Sequence, residues 1–401
     1  MTNRPAFAPW LSTTNEITAG FLSAGRIPGL INMAGGLPAP ETYPADELAD
    51  IAAAVVRENP AEALGYSPVD GLPALRDLLA ARFSTGGLRL TRENVLVTTA
   101  GMQGLDLLGK VLLKPGQVIA AQFPTYLGAI DAWRPHAPVY RALIPDDNAL
   151  DPDAALSGAQ FAYMVPNFSN PTGRLVGAGL RQRMVEAAHR TGTWLVEDDP
   201  YGTLQYDGAA LPRMIALSGA MMGDGPYDGP VIYMGTLSKE IVPGLRIGWV
   251  IAAPAMIRAM TAAKQGSDMC TSGLTQGVAL RALRAGLVER IQPGVVALYR
   301  ARRDALCDAM ATHLMPWFDW EKPAGGMFVW AVARDPALDT DRLLPLALKA
   351  GVCVTPGSVF DPTGANRRAI RINFTLNDAD RLAEGVRRLA VAVTELQSGG
   401  G

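Results

Sequence analysis

The sequence predicts an α/β protein: a large domain with a mostly parallel seven-stranded sheet flanked by helices, plus a smaller α+β C-terminal domain. Three observations carry this. Seven short apolar runs recur between residues 95 and 252, with helix-like segments between several of them; such alternation is the signature of a mostly parallel sheet. After residue 290 the pattern changes to long helical segments and isolated strand-like runs. Of 401 residues 49% are hydrophobic, ample for a large core and for two or three structural units.

Taken in order, residues 1–35 read as an N-terminal arm with a short helix, and Ile31 to Pro40 as a Gly/Pro-rich loop where backbone can approach a ligand. Glu47 to Glu58 reads as a helix, Leu64 to Pro68 as a loop carrying Tyr66, and Leu72 to Phe83 as an amphipathic helix. Val95 to Thr99 is a strand, Ala100 to Gly104 a turn and Leu105 to Leu113 a helix. The later apolar runs begin at Gln117, Val139, Phe161, Thr193, Val231 and Ile247. Residues 36–290 thus form the large domain and 291–401 the small one. In the latter, Val295 to His313 and Thr340 to Lys349 read as helices and Gly326 to Ala331 and Ala369 to Phe374 as strands; Asn377 caps a final helix. The terminal Ser398-Gly-Gly-Gly401 reads as a frayed end.

A formal net charge of −2 offers no basic field for nucleic acid. No run is long enough to span a bilayer, and the N-terminus lacks a signal-length apolar core, so a cytoplasmic protein without membrane contact is expected. Cys270, Cys307 and Cys353 lack paired spacing, and His136, His189 and His313 are far apart, so no metal site is expected.

Lys239 lies in a polar loop between two strand-like runs, whereas Lys110, Lys114, Lys264 and Lys349 lie in or just after helix-like segments and Lys322 precedes a Gly-rich turn. A lysine held against apolar walls favours the neutral amine, a nucleophile toward aldehydes. Alone it reads as a solvated loop residue. Four clusters have the chemistry that a phosphorylated pyridine aldehyde needs. Thr98-Thr-Ala-Gly-Met-Gln-Gly104 offers backbone N–H groups and a helix start to a phosphate. Val165-Pro-Asn-Phe-Ser-Asn-Pro-Thr-Gly-Arg174 places Asn170 after a strand, either as a tight turn or as a donor to a phenolate oxygen. Leu195-Val-Glu-Asp-Asp-Pro-Tyr-Gly202 is either an exposed acidic turn or a carboxylate that keeps a ring nitrogen protonated. Around Lys239, Thr236 and Ser238 supply hydroxyls, and Arg246 interrupts an apolar run with a fork suited to phosphate.

In sequence the motifs are Gly35-Gly-Leu-Pro38, Tyr66-Ser-Pro68, Gly101-Met-Gln-Gly104, Phe123-Pro-Thr-Tyr126, Asn170-Pro-Thr-Gly173, Glu197-Asp-Asp-Pro-Tyr201, Ser238-Lys-Glu with Pro243-Gly-Leu-Arg-Ile-Gly-Trp249, Gly325-Gly-Met-Phe328, Pro356-Gly-Ser358 and Arg371. The set resembles the fold-type I pyridoxal-phosphate aminotransferases of class I/II, especially the 2-aminoadipate, kynurenine and aromatic aminotransferase branch. It spans residues 30 to 395. The resemblance implies pyridoxal 5'-phosphate as cofactor and Lys239 as the catalytic residue, carrying it as a Schiff base and moving the substrate α-proton. Asp198, rather than Asp199, would pair with the ring nitrogen, Asn170 and Tyr201 with the ring hydroxyl oxygen, and Tyr126 would stack on the ring. The turn at Gly101, Met102 and Gln103, with Thr236, Ser238 and Arg246, would hold the phosphate. Tyr66 would reach it from the neighbouring subunit, which implies a homodimer with shared active sites. Arg371 would take the substrate α-carboxylate, with Gly36 and Asn170 lining the substrate side. Met102 replaces a serine frequent among relatives, which removes a hydroxyl but leaves backbone donors.

The implied activity is ping-pong transfer of an amino group between an L-amino acid and a 2-oxo acid, with glutamate and 2-oxoglutarate as the default pair. Readings on the same scaffold are a lyase or decarboxylase, or a non-catalytic ligand sensor. The segment before Gly35 is too short for the winged helix of this branch's regulators. The substrate side chain is expected among residues 10–36, Tyr66 and Ser267 to Ser272.

Overall fold

The computed structural model describes residues 6–13, 27–145 and 149–398. Most of the expected arm and the glycines of the expected frayed end lie outside the described residues. The first strand, β1 (Ile31–Asn32), sits inside the segment read as a loop and pairs in parallel with a strand near the far end of the chain. Seven strands make the central sheet: β2 (Val95–Thr99), β3 (Val118–Gln122), β4 (Val139–Leu143), β5 (Phe161–Met164), β6 (Trp194–Asp198), β7 (Val231–Thr236) and β8 (Ile247–Ile251). Their spatial order is β2-β8-β7-β6-β5-β3-β4. Only β8 runs against its neighbours, so the sheet is mostly parallel, as the sequence predicts.

Period-two alternation fills both faces of this sheet. Leu96, Phe161, Tyr163, Val196, Ile232 and Val250 enter one core, which continues into the C-terminal unit through Phe328, Ile370 and Leu389. Val95, Val97, Ala162, Leu195, Val231 and Trp249 enter the other, against Leu75 and Leu79 of the helix Pro73–Phe83. The C-terminal unit adds β9 (Phe318–Trp320), β10 (Phe328–Ala333), β11 (Val352–Cys353), β12 (Thr355–Pro356) and β13 (Ala369–Asn373). Four of them form a small antiparallel sheet in the order β12-β13-β10-β9, while β11 is the partner of β1. The helices Leu287–His313, Thr340–Lys349 and Ala379–Ser398 pack around them.

Four local readings change. The turn read at Ala100 to Gly104 is already helix, Ala100–Leu112, because one residue, Ala100 at φ 61°, makes the whole corner after β2. The helix read from Val295 begins at Leu287 and carries Pro293 inside it; Gly286 at φ 66° starts it, and the buried Leu287 and Val288 anchor the turn ahead of the proline. The strand read as ending at Val196 runs to Asp198, with Glu197 buried to cap the helix Met214–Met222 through the N–H groups of Met214 and Ile215. The last helix is capped by Asp378, whose carboxylate accepts from the Arg381 N–H at 2.8 Å; Asn377 donates to the Asn32 carbonyl at 2.8 Å instead and holds the N-terminal segment.

Candidate active site

Parallel strands deliver their C-terminal ends to one edge, where ligands of open α/β sheets collect. The reversed β8 brings its start to the same edge. A cavity of about 200 Å³ opens there, lined by Gly101, Met102, Tyr126, Asn170, Asp198, Tyr201, Thr236, Ser238, Lys239 and Arg246 among others. A larger cleft of about 370 Å³ between Gln122 and Trp330 contains no lysine and a single carboxylate, Asp361.

The corner at the end of β2 depends on close approach. A side chain on Gly248 would lie 2.8 Å from the Ala100 carbonyl carbon and 3.0 Å from the Gly101 nitrogen. Glycine there lets the first turn of Ala100–Leu112 press against β8. Ala100 holds a left-handed conformation, costly for a residue with a Cβ by roughly 1–3 kcal/mol. Thr98 Oγ1 supports it by donating to the Ala100 carbonyl at 3.0 Å. The result aims unpaired first-turn N–H groups at the cavity, which suits an anion. Arg246, also left-handed at φ 52°, lines the same end and donates to the Pro243 carbonyl at 3.2 Å.

Alternation on β6 separates the three acids. Asp198 shares a face with Val196 and lines the cavity, whereas Glu197 and Asp199 point to the opposite side. Asp199 accepts there from Asn167 Nδ2 at 2.8 Å and Tyr233 Oη at 3.2 Å. Burial pushes the Asp198 carboxyl up to about 7, with Asp199 adding to the rise, while the Tyr163 hydroxyl, donating at 2.6 Å, opposes it. Tyr163 is wedged by Trp133, ring to ring at 5.1 Å and 84°.

Lys239 is on a single helical turn, Leu237–Glu240, at the end of β7. Thr236 caps that turn: its Oγ1 accepts from the Ser238 N–H at 3.1 Å and donates to the Ser238 hydroxyl at 3.0 Å. The Lys239 ammonium donates to the Gly36 carbonyl at 2.6 Å. Burial, then the positive fields of Arg371 and Arg246, pulls its pKa down to about 8. The neutral amine is therefore far better populated near physiological pH than in an ordinary lysine, though the ammonium still predominates.

Arg371, on β13, is buried between the rings of Phe328 and Phe360, 4.2 and 4.7 Å from its guanidinium carbon. It donates to Asn170 Oδ1 at 2.6 Å and to the Ala34 carbonyl at 2.5 Å, while its Nε is buried without a partner. Asn170 in turn faces the Tyr201 hydroxyl at 3.4 Å. A Cβ on Gly36 would meet the Phe328 ring at 2.9 Å, so glycine lets the 33–37 segment cross the mouth.

Most of the predicted residues therefore meet in one place. Gly36 and Arg371 join through hydrogen bonds to Lys239 and Asn170. Two further residues neither line the cavity nor hydrogen-bond to those that do within this chain. Tyr66 is 89% exposed, and the Gln103 side chain turns away to accept from Lys264 at 2.6 Å. Sequence reasoning missed Tyr163, Phe360 and Ala34. For Tyr163 a signal exists in hindsight: it sits on the strand leading to Asn170 and pairs in register with Val196, on the face of Asp198.

Comparison with known proteins agrees with this geometry. The family model for aminotransferase class I and II matches residues 39–389, and the chain belongs to that family. A 2-aminoadipate transaminase from Thermus thermophilus is 36% identical over 390 residues, covering 96% of this chain and 94% of the relative. Among solved structures, LysN, the α-aminoadipate aminotransferase of Thermus thermophilus complexed with N-(5'-phosphopyridoxyl)-L-leucine, superposes with a TM-score of 0.85 at 33% identity, covering 98% of this chain and all of the other. The Pyrococcus horikoshii kynurenine aminotransferase gives 0.89 at 33% identity, with 97% of each chain covered.

The protein is an aminotransferase, and its cofactor is pyridoxal phosphate. The residues present fit that group. A buried carboxylate whose neighbouring charge is another acid is completed by a protonated ring nitrogen. Around the same cavity Tyr126 could offer an aromatic face, the corner at Ala100 an anion seat, and Lys239 an amine for the aldehyde.

Proposed function

We propose that this enzyme transfers the amino group of an L-amino acid to a 2-oxo acid by a ping-pong route, with glutamate and 2-oxoglutarate as one partner pair. Bound pyridoxal phosphate supplies the aldehyde and the electron sink. Lys239 would hold that aldehyde through its amine and, when free, take and return the substrate α-proton at its Nζ. Asp198 keeps the ring nitrogen protonated, with Tyr163 holding the carboxylate in its ionised form. Asn170 and Tyr201 hold the ring hydroxyl oxygen, and Tyr126 covers one ring face. Gly101, Met102 and Gln103, by their backbone, hold the phosphate with Thr236, Ser238 and Arg246. Tyr66 completes that seat from the neighbouring subunit of a homodimer. Arg371 takes the substrate α-carboxylate as a bidentate pair, beside Gly36 and Asn170. Neutral oxygens of Asn170 and Ala34 hold the guanidinium in place there, so no carboxylate among the described residues competes for its charge. The names of the relatives favour a 2-aminoadipate-like or aromatic amino donor, and a cytoplasmic location suits the composition.

The observation that carries this reading is the placement of a pKa-depressed Lys239 and a buried Asp198 around one cavity beside Arg371. The test adds an amino acid without a 2-oxo acid to the holoenzyme. Transamination releases one equivalent of 2-oxo acid per site and no ammonia, and Lys239→Ala abolishes turnover by orders of magnitude. Continuous release of ammonia or carbon dioxide would instead make the protein a lyase or a decarboxylase. A panel of donors against 2-oxoglutarate then ranks the substrates.

A further inference from the structure

Lys264 has no role in the reading above, yet it is wholly buried in the helix Pro254–Gln265. A buried ammonium is costly unless its donors are met. Here it donates to Gln103 Oε1 at 2.6 Å and to the two Asp268 oxygens at 2.8 and 2.9 Å. The same Gln103 oxygen accepts from the Thr99 N–H at 2.8 Å. Thr99 Oγ1 donates to Asp268 Oδ2 at 3.0 Å and contacts Thr271 Oγ1 at 3.2 Å. One ammonium thus closes a ring of hydrogen bonds through Gln103, Thr99 and Asp268. Thr99 is the residue from which the helix Ala100–Leu112 springs, so the ring stands directly behind the turn that lines the cavity with Ala100, Gly101 and Met102. That turn offers a thioether at Met102, not a hydroxyl. It can hold an anion only through N–H groups, whose direction is set by Thr99.

We propose that Lys264 is a positioning residue for the phosphate end of the cofactor: with Gln103 and Asp268 it fixes Thr99, so that the first-turn N–H groups converge on the anion. The inference rests on the pyridoxal-phosphate reading of this site and makes a narrower claim. The ring should govern affinity for the phosphate, not for the pyridine.

The experiment strips the full-length protein of cofactor and titrates it separately with pyridoxal phosphate and with pyridoxal. It is run on wild type, Lys264→Met, and the double variant Lys264→Met/Asp268→Asn, which leaves no orphaned charge. In the variants, affinity for pyridoxal phosphate should fall roughly tenfold or more, the scale of a lost hydrogen bond to a charged group, while affinity for pyridoxal stays within about twofold. Equal weakening of both ligands, no weakening of either, or failure of both variants to fold makes the ring purely structural and overturns the proposal. A wild-type chain that does not bind pyridoxal phosphate overturns the functional reading as well. Wild-type binding with an unchanged variant preference overturns this inference alone.

Discussion

Burial lifts the Asp198 carboxyl to about 7, and the Tyr163 hydroxyl at 2.6 Å works against that rise. The ionised form, which the proposed pairing with the ring nitrogen requires, therefore populates as pH rises through that value. Removing the hydroxyl should push the carboxyl higher still, so the acid limb of the rate profile moves to higher pH. Tyr163→Phe keeps the ring against Trp133 and deletes only the donor. We expect kcat/KM at neutral pH to drop about tenfold, as for a lost hydrogen bond to a charged group, and to recover as pH is raised. A pH–rate profile with an unmoved acid limb would deny Tyr163 this role. The residues legible in the sequence were those carried by short local motifs: Lys239 between two strands, Asn170 before proline, Asp198 three residues before Tyr201. Tyr163 and Lys264 stayed hidden because their partners, Asp198 and Gln103, are remote in sequence and a buried tyrosine or lysine announces nothing by itself.

At the scale of elements, the corner between β2 and the helix Ala100–Leu112 depends on a residue of another strand. Gly248 leaves room for Ala100 and Gly101 at 2.8 and 3.0 Å from where a Cβ would stand. Those neighbours are backbone and cannot swing aside. Gly248→Ala should tilt the first turn away from the cavity and weaken pyridoxal-phosphate binding by about tenfold or more, with a loss of stability of roughly 1–3 kcal/mol. Cofactor titration together with thermal unfolding checks both parts; unchanged cofactor affinity would show that the corner tolerates the methyl. The strands of the central sheet were legible because apolar runs and turn residues alternate regularly. The corner itself reads as a turn because of the glycines in Ala100-Gly-Met-Gln-Gly104, whereas packing against β8 makes it the first turn of a helix. The pairing of β1 with β11 could not be read at all: two residues carry no periodicity, and their partner lies at the other end of the chain.

For the whole molecule, Tyr66 stands 89% exposed, away from the cavity of its own chain. If it serves the neighbouring subunit, Tyr66→Ala and Lys239→Ala damage different sites of a dimer. Co-expressed in equal amounts, the two variants should yield hybrid dimers with one undamaged site, restoring about a quarter of wild-type activity by random pairing. No restoration would place Tyr66 outside the shared site. The path of the chain carries another consequence. Asp198 ends β6 and Lys239 lies on the turn just after β7, but Arg371 is on β13, and the 33–37 segment crossing the mouth is held by β11 and by Asn377. On the ribosome, Asp198 and Lys239 are made long before Arg371, and β1 waits for β11, which is synthesised near the end. The order of translation thus places the residues proposed to hold the cofactor ahead of the one proposed to select the substrate, although one face of the central sheet gains its full core only from the last part of the chain.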